Sequence, residues 1–336
     1  MQVSDSEHFR DVLLERRRVL TEWLGSDTTI RAGDAEKVRQ LLVQIKEALQ
    51  QIGNGSYGAC RVCHEEIELQ RLEIQPVSHV CLDCISAEEQ VLLEKDLYLA
   101  GQIHRALLPQ TVPHIEGFDV GVQSLAAGNI GGDYYDFLPG TDDGSIRVVI
   151  ADAMGHGLSA GLLMSNLQGA LRILAAEIPS PGQLLTRLNQ WLCRNIPVTK
   201  FISMVCVGVE RSGAKQTRIA YTNAGHCLPL VIRSGGKVER FEVTGGVLGV
   251  HEAFNYEERR LTLSSGDAIV LFTDGIIEAE NARGEAYDEN RLIDFVRSRH
   301  RDAAVDIVHE LVTSVLGFSG ASQAADDLTA VILQKK

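Results

Sequence analysis

Four short stretches place an aspartate beside an apolar run: Gly131-Gly132-Asp133-Tyr134-Tyr135-Asp136, Asp152-Ala153-Met154-Gly155-His156-Gly157, Thr273-Asp274-Gly275 and Asp326-Asp327-Leu328-Thr329. The second follows Val148-Val149-Ile150, the third follows Ile269-Val270-Leu271-Phe272, and the fourth leads into the last apolar run. Hard cations such as Mg2+ and Mn2+ take oxygen ligands and keep several waters, so a few carboxylates on rigid strand ends suffice to hold them. Gly131 and Gly132 would let backbone and ligand approach closely. Any one Asp-Gly pair is an ordinary turn signal; the four together, each with its apolar run, point to a divalent-cation site.

A second ligand set differs in kind. Cys60-Arg-Val-Cys63 and Cys81-Leu-Asp-Cys84 are separated by the 17 residues 64–80, a spacing that suits two knuckles sharing one ion. Thiolates suit tetrahedral Zn2+, and with all four positions filled by protein the ion would be structural. His64 and His79 lie close by and are read as solvated histidines. Cys193, Cys206 and Cys227 stand in apolar surroundings and read as buried small residues. The nucleophile loop of a thiol phosphatase is missing, which excludes that class, and without GxxxxGK[ST] the chain is not a P-loop NTPase.

The elements that must position these residues fall into two groups. Apolar residues recur at helical spacing from Ser4 to about Leu24 and from Asp34 to about Ile52, with Asp34 as the expected N-cap of the second helix. This predicts a helical hairpin over residues 1–52, the cysteine segment over 53–86 and a linker helix over 87–108, stopped by Pro109. Along the linker Leu93, Leu97, Ala100, Ile103 and Leu107 form a narrow stripe, which would either pack on the following domain or pair with its copy in a homodimer. From 109 to 336, β-rich runs at Phe118–Ser124, Ile146–Ala151, Phe201–Val209, Thr217–Thr222, Ala268–Phe272 and Leu328–Leu333 mix with two helix pairs, Leu158–Ala176 with Pro181–Asn195 and Glu289–Arg299 with Ala303–Leu316. Several strands follow one another with no helix between them, so an α+β layered domain is expected rather than a doubly wound parallel sheet.

With 336 residues, 45% hydrophobic and 23% charged, the composition is that of a two-domain globular chain. No run approaches the ~20 apolar residues of a membrane span, and the opening MQVSDSEHFR lacks a secretory pattern, so the cytoplasm is the expected location. A net charge of −13 argues against direct nucleic-acid binding, which needs clustered Lys and Arg. The compact basic run Arg16-Arg17-Arg18 reads as a solvated helix face.

The four aspartate motifs resemble, in this order, the bacterial SpoIIE and RsbU branch of the metal-dependent protein phosphatase (PPM) family. Gln102-Ile103-His104-Arg105-Ala106-Leu107-Leu108-Pro109, Asn223-Ala224-Gly225-His226 and Gly246-Val247-Leu248-Gly249-Val250 extend the resemblance over about residues 95–336. It implies an antiparallel β-sandwich flanked by helix pairs and a site for two Mn2+ or Mg2+ ions. Asp152 would bridge them, the Ala153 carbonyl would serve one, Asp133 the second, and Asp274 and Asp326 would complete the first. Asp327 would be a secondary residue beside that ligand. Such ions would activate a water for in-line attack on phosphorus without a covalent enzyme intermediate. Eukaryotic members carry a histidine where this chain has Met154; His156 is the candidate proton donor, alongside a capping or packing role at the helix start. No arginine is assigned as a phosphate clamp. His226 is expected to shape a turn near the site, and Asn223 to bond backbone there.

The segment YGACRVCHEEIELQRLEIQPVSHVCLDC is similar to the C4 zinc finger of the DksA/TraR family, with its Tyr-Gly lead-in, Arg71-Leu72-Glu73 and Pro76. Residues 1–90 would then be a sensor or docking module that regulates the enzyme. The expected substrate is a phosphorylated STAS-domain anti-anti-sigma protein. Two other readings are a DksA-like regulator binding RNA polymerase and an inactive phosphatase fold serving as a binding module.

Overall fold

Two helices open the chain, α1 (Val3–Ser26) and α2 (Ala32–Asn54), in a computed structural model that describes residues 3–26, 32–85, 87–140, 145–210, 216–320 and 324–336. Phe9 and Leu13 of α1 and Ile45 and Ala48 of α2, spaced by four and three residues, turn inward and share one core with Tyr57, Ile67, Leu72 and Val77. Helix α2 begins two residues before Asp34, so the expected N-cap lies inside the first turn. The first N–H groups of a helix have no intrahelical partner, so Gly33 is tolerated there and does not delay the start. Residue 27 of the expected turn lies outside the described residues. The short α3 (Leu69–Ile74) and a 3-10 turn at Leu82–Cys84 follow, and then α4 (Ala87–Leu107).

The chain divides into two units, Met1–Lys95 and Asp96–Lys336, and the division falls within α4. In the second unit α4 buries Gly101 and His104. The stripe read from the sequence is largely exposed, Leu97 at 36% and Ile103 at 57%. A glycine and a histidine give no apolar signal, yet Gly101 lets the helix backbone approach the Asn129 carbonyl, 2.8 Å from where a Cβ would stand. The packed face is therefore invisible to hydrophobic periodicity.

Among the described residues ten strands follow, paired as two antiparallel five-stranded sheets. One holds β1 (Phe118–Leu125), β10 (Leu328–Lys335), β9 (Ala268–Phe272), β6 (Leu230–Ile232) and β7 (Val238–Arg240) in that order. The other holds β2 (Asp133–Pro139), β3 (Ile146–Ala153), β4 (Ile202–Val209), β5 (Gln216–Ala224) and β8 (Arg259–Ser264). Side chains alternate along a strand, so each central strand serves two cores. Val148 and Ile150, Val205 and Val207, Ile269 and Leu271, and Val331 and Leu333 fill the space between the sheets. Their neighbours Val149, Ala151, Met204 and Cys206 pack outward on α5 (Leu158–Glu177) and α6 (Pro181–Asn195). Val270, Phe272, Ala330 and Ile332 pack on α8 (Asp288–Ser298) and α9 (Ala304–Ser319).

Burial on both faces explains the unbroken apolar runs in an antiparallel sheet, where a solvated face would give alternation. Each large side chain so buried contributes about 1.5–3 kcal/mol of transfer free energy. The result is the expected α+β sandwich flanked by helix pairs. At Gly121 a Cβ would collide with the Ala304 carbonyl, which lets the start of α9 lie directly on β1.

Candidate active site

The ends of the two sheets deliver the aspartates. Asp133 opens β2 and stands opposite Asp152 of β3 in the antiparallel register. Asp274 starts the short α7 (Asp274–Glu278) just past β9, and Asp326 lies just before β10. The ends of β9 and β10 are tied by the Thr273 N–H donating to the Thr329 carbonyl at 3.0 Å and the Thr329 N–H donating to Thr273 Oγ1 at 3.1 Å. The Thr273 hydroxyl then crosses to the other sheet and donates to Asp133 Oδ2 at 2.8 Å. That hydroxyl ties the two sheets together where the carboxylates converge.

Asp327 acts on backbone. Its Oδ1 accepts the Ala127 N–H at 2.7 Å, and its Oδ2 accepts those of Gly132 and Asp133. Gly131 and Gly132 make this possible: a Cβ on Gly131 would stand 2.7 Å from Asp327 Oδ2, and one on Gly132 2.9 Å from the Ala153 carbonyl. With both oxygens engaged, Asp327 shapes the loop that presents Asp133.

Asp152, Asp274, Asp326 and Asp327 line one cavity of about 780 Å3 together with Met154 and the exposed His156. Asp133 is buried at 5% exposure, and the Ala153 carbonyl faces Gly132. Among the described residues no three carboxylates bring their oxygens within 4.8 Å of one another, as the four thiols do; they border a common space instead. Ser203, opposite Asp152 in β4, places its hydroxyl 2.7 Å from His226 Nδ1. His226 is held in its turn by Asn223, whose Oδ1 accepts the His226 N–H at 2.8 Å while its side-chain amide donates to the His226 carbonyl at 3.2 Å. Burial drives the His226 pKa down to about 4, so the imidazole is neutral and structural. Thr273, Thr329 and Ser203 were not legible as site residues, because a lone hydroxyl carries no signal until strand register is known.

The electrostatics ask for a cation. Burial, then the charges of Asp274, Asp326 and Asp327, pushes Asp152 up to about 7. Asp133 is raised well above the ordinary carboxylate range, by burial first, despite hydrogen bonds from Thr329 and Thr273. Asp274 is raised by burial and then by Asp326, and so is Glu278, by burial and then by Asp274 and Asp326, one turn along α7. Among the described residues none of Asp133, Asp152, Asp274, Asp326 or Asp327 forms an ion pair with a lysine or arginine. Buried carboxylates without counter-charge are costly, and this all-oxygen set fits divalent Mg2+ or Mn2+.

A pH dependence follows. These folded-state pKa values lie above those of the unfolded chain, so ionisation penalises the fold. The metal-free protein should therefore lose stability as pH rises from about 4 through about 7. A bound cation reverses the preference, since protons must leave before it binds. The expected result is a manganese-induced rise in Tm that is larger at pH 7.5 than at pH 5.5, measured by calorimetry against an EDTA-treated control. An increment that grew on acidification would contradict the assignment.

The four thiols form a tighter group, with all Sγ atoms within 4.8 Å and neither His64 nor His79 among them. Backbone N–H groups of Val62 and Cys81 donate to Cys60 Sγ, each at 3.4 Å. Against the opposing effect of burial, such backbone bonds draw the Cys60 pKa down to about 6 and favour the thiolate. The Tyr57 hydroxyl donates to the Pro76 carbonyl at 2.7 Å, and Arg71 Nε donates to the Val80 carbonyl at 3.0 Å. The tyrosine, arginine and proline singled out in the sequence thus hold the two knuckles in place.

Residues 142–336 match the family described as Stage II sporulation protein E (SpoIIE), and residues 55–90 match the prokaryotic DksA/TraR C4-type zinc finger. The phosphoserine phosphatase RsbU of Bacillus subtilis is 30% identical over 247 residues, 73% of this chain and 71% of that protein. Among solved structures, the SiaA-PP2C domain of Pseudomonas aeruginosa aligns with a TM-score of 0.66 at 19% identity, over 75% of this chain and all of that one. The RsbU and RsbW domains of a Mycobacterium tuberculosis protein align at 0.58 and 26% identity, over 68% of this chain and 63% of that one. The four motifs, the sandwich they sit on and these matches make the chain a member of the SpoIIE family, the RsbU-type branch of the PPM metal-dependent serine/threonine phosphatases, with a DksA/TraR-type zinc finger ahead of the phosphatase domain.

Proposed function

We propose that the protein hydrolyses phosphoserine or phosphothreonine on a phosphorylated STAS-domain anti-anti-sigma protein, as a cytoplasmic component of a partner-switching pathway. The observation that carries this reading is the convergence of Asp152, Asp274 and Asp326 on one cavity, with Asp133 opposite Asp152. In this reading Asp133, Asp152, Asp274, Asp326 and the Ala153 carbonyl hold two Mn2+ or Mg2+ ions. When bound, the ions supply an activated water and the charge that steadies the phosphoryl oxygens.

The chain's own residues set the geometry for that chemistry. Thr273 fixes Asp133 across the sandwich, and Asp327 holds the 127–133 loop through its backbone N–H groups. His156 is exposed at the cavity wall, and in this reading it hands a proton to the leaving oxygen. Zinc, one ion on Cys60, Cys63, Cys81 and Cys84, builds the regulatory module, and the exposed Leu93, Leu97 and Ile103 of α4 supply the surface for a homodimer.

The test is phosphate release from a serine-phosphorylated STAS-domain protein with 1:1 and higher ratios of manganese, against EDTA, beside an RNA polymerase pull-down. Manganese-dependent release without polymerase capture is expected. No release from any phosphorylated STAS protein, with polymerase retained by the full chain, would favour the DksA-like reading and discard this one.

A further inference from the structure

The cavity that must admit a phosphate ester is poor in positive charge. Its lining contains Asp152, Asp274, Asp326, Asp327 and His156, but no lysine or arginine. Two divalent cations carry four positive charges, and the carboxylates of Asp133, Asp152, Asp274, Asp326 and Asp327 carry five negative ones. The loaded site then offers a phosphate dianion no net positive charge, and a further cation at its edge would favour substrate.

Lys200 stands at that edge. Its Nζ lies 3.5 Å from the Met154 carbonyl, in the loop that runs on from Asp152. The loop leaves the approach open because residue 155 is glycine at φ +101°, and a Cβ there would meet Lys200 Nζ at 3.2 Å. A side chain at 155 would be both strained and in the way. The base of Lys200 is fixed: its N–H donates to the Pro197 carbonyl at 2.9 Å, the next residue's carbonyl accepts the Met154 N–H at 3.0 Å, and Ile202 bridges to Leu248. The head is not. An ammonium has three donors, the bond to Met154 is long, and among the described residues Lys200 has no carboxylate partner. A fixed backbone carrying a free point charge beside the metal loop suits a phosphate-binding lysine.

We propose that Lys200 binds the phosphoryl group of the substrate and the phosphate product, supplying the charge that no arginine provides. This rests on the phosphatase reading for its substrate, and on geometry alone for its anion. The experiment compares wild type, Lys200→Gln and Lys200→Arg, each loaded with manganese. It measures kcat and KM on a phosphoserine protein, the affinity for inorganic phosphate by calorimetry, and the affinity for manganese.

Lys200→Gln is expected to raise KM and weaken phosphate binding about tenfold, as befits one charge-assisted contact, with kcat and manganese affinity within twofold of wild type. Lys200→Arg should restore most of the phosphate affinity. Unchanged phosphate affinity in Lys200→Gln, or a parallel loss of manganese binding, would overturn the inference. If wild type hydrolysed nothing while Lys200→Gln still weakened phosphate binding, the functional reading would fall and the anion site would stand. Wild type that bound no phosphate would remove the anion site itself.

Discussion

Asp152→Asn is expected to lower manganese-dependent phosphate release at least about a thousandfold, ~4 kcal/mol of transition-state stabilisation. Asp152 feels the charges of Asp274, Asp326 and Asp327 together and faces Asp133 across the β2–β3 ladder, so it is the carboxylate through which the others communicate. Asparagine keeps its shape and one acceptor oxygen but loses the charge on which a hard cation depends. The fold should tolerate the change well. In the metal-free state the ionised side chain already opposes burial, so the neutral amide is expected to raise the Tm of the EDTA-treated protein at pH 7.5 and to flatten its fall between pH 5.5 and 7.5. Initial rates, a manganese titration and calorimetry on the same preparation separate loss of metal from loss of fold. Turnover equal to wild type would refute the site.

That contrast between fold and site also governs what the sequence could reveal. The central strands were legible because both faces are buried, so Val148-Val149-Ile150 and Ile269-Val270-Leu271-Phe272 stand out as apolar runs. The extent of β2 was not, since its seven residues Asp133–Pro139 mix two aspartates and two tyrosines, and their burial follows from Tyr134 and Arg172 bonding the Asp136 carboxylate at 2.6 and 2.8 Å. Strands β6 and β7, three residues each, and α7, five residues, are too short for any period to show. Among the candidate site residues, the aspartates stand out by motif. Thr273 and Ser203 acquired meaning only through register, Glu278 only through its place one turn beyond Asp274, and Lys200 only through its reach to Met154. Long-range pairing decides Thr273, Ser203 and Lys200, and a local reading of residue types does not contain it; Glu278 depends on a helix too short to be read from the sequence. The buried face of α4 makes the same point from the packing side, because Gly101 and His104 carry it while Leu93, Leu97 and Ile103 of the visible stripe are exposed.

Removal of zinc is expected to unfold the segment from Ala59 to Cys84 outright. Its regular structure amounts to the six-residue α3, the 3-10 turn at Leu82–Cys84 and a single bridge between Ala59 and Glu66, none of which is stable alone in water. Its apolar core is Ile67, Leu72 and Val77 closed by Tyr57 against the helices, too little for a segment of this size to fold without a staple. Structural zinc in such knuckles contributes about 10–16 kcal/mol of apparent binding free energy near neutral pH, and without it the four sulfurs have no reason to stay within 4.8 Å. Chelation, or Cys81→Ser at a buried ligand, should strip the bound zinc. Amide exchange over residues 57–85 should accelerate by three orders of magnitude or more, ~4 kcal/mol of lost protection. Acidification should act in the same direction, because protons compete for the thiolates and the Cys60 sulfur holds its proton below about pH 6. Protection that survived chelation would mean that the finger folds on its hydrogen bonds alone, and the thiols would then need another explanation.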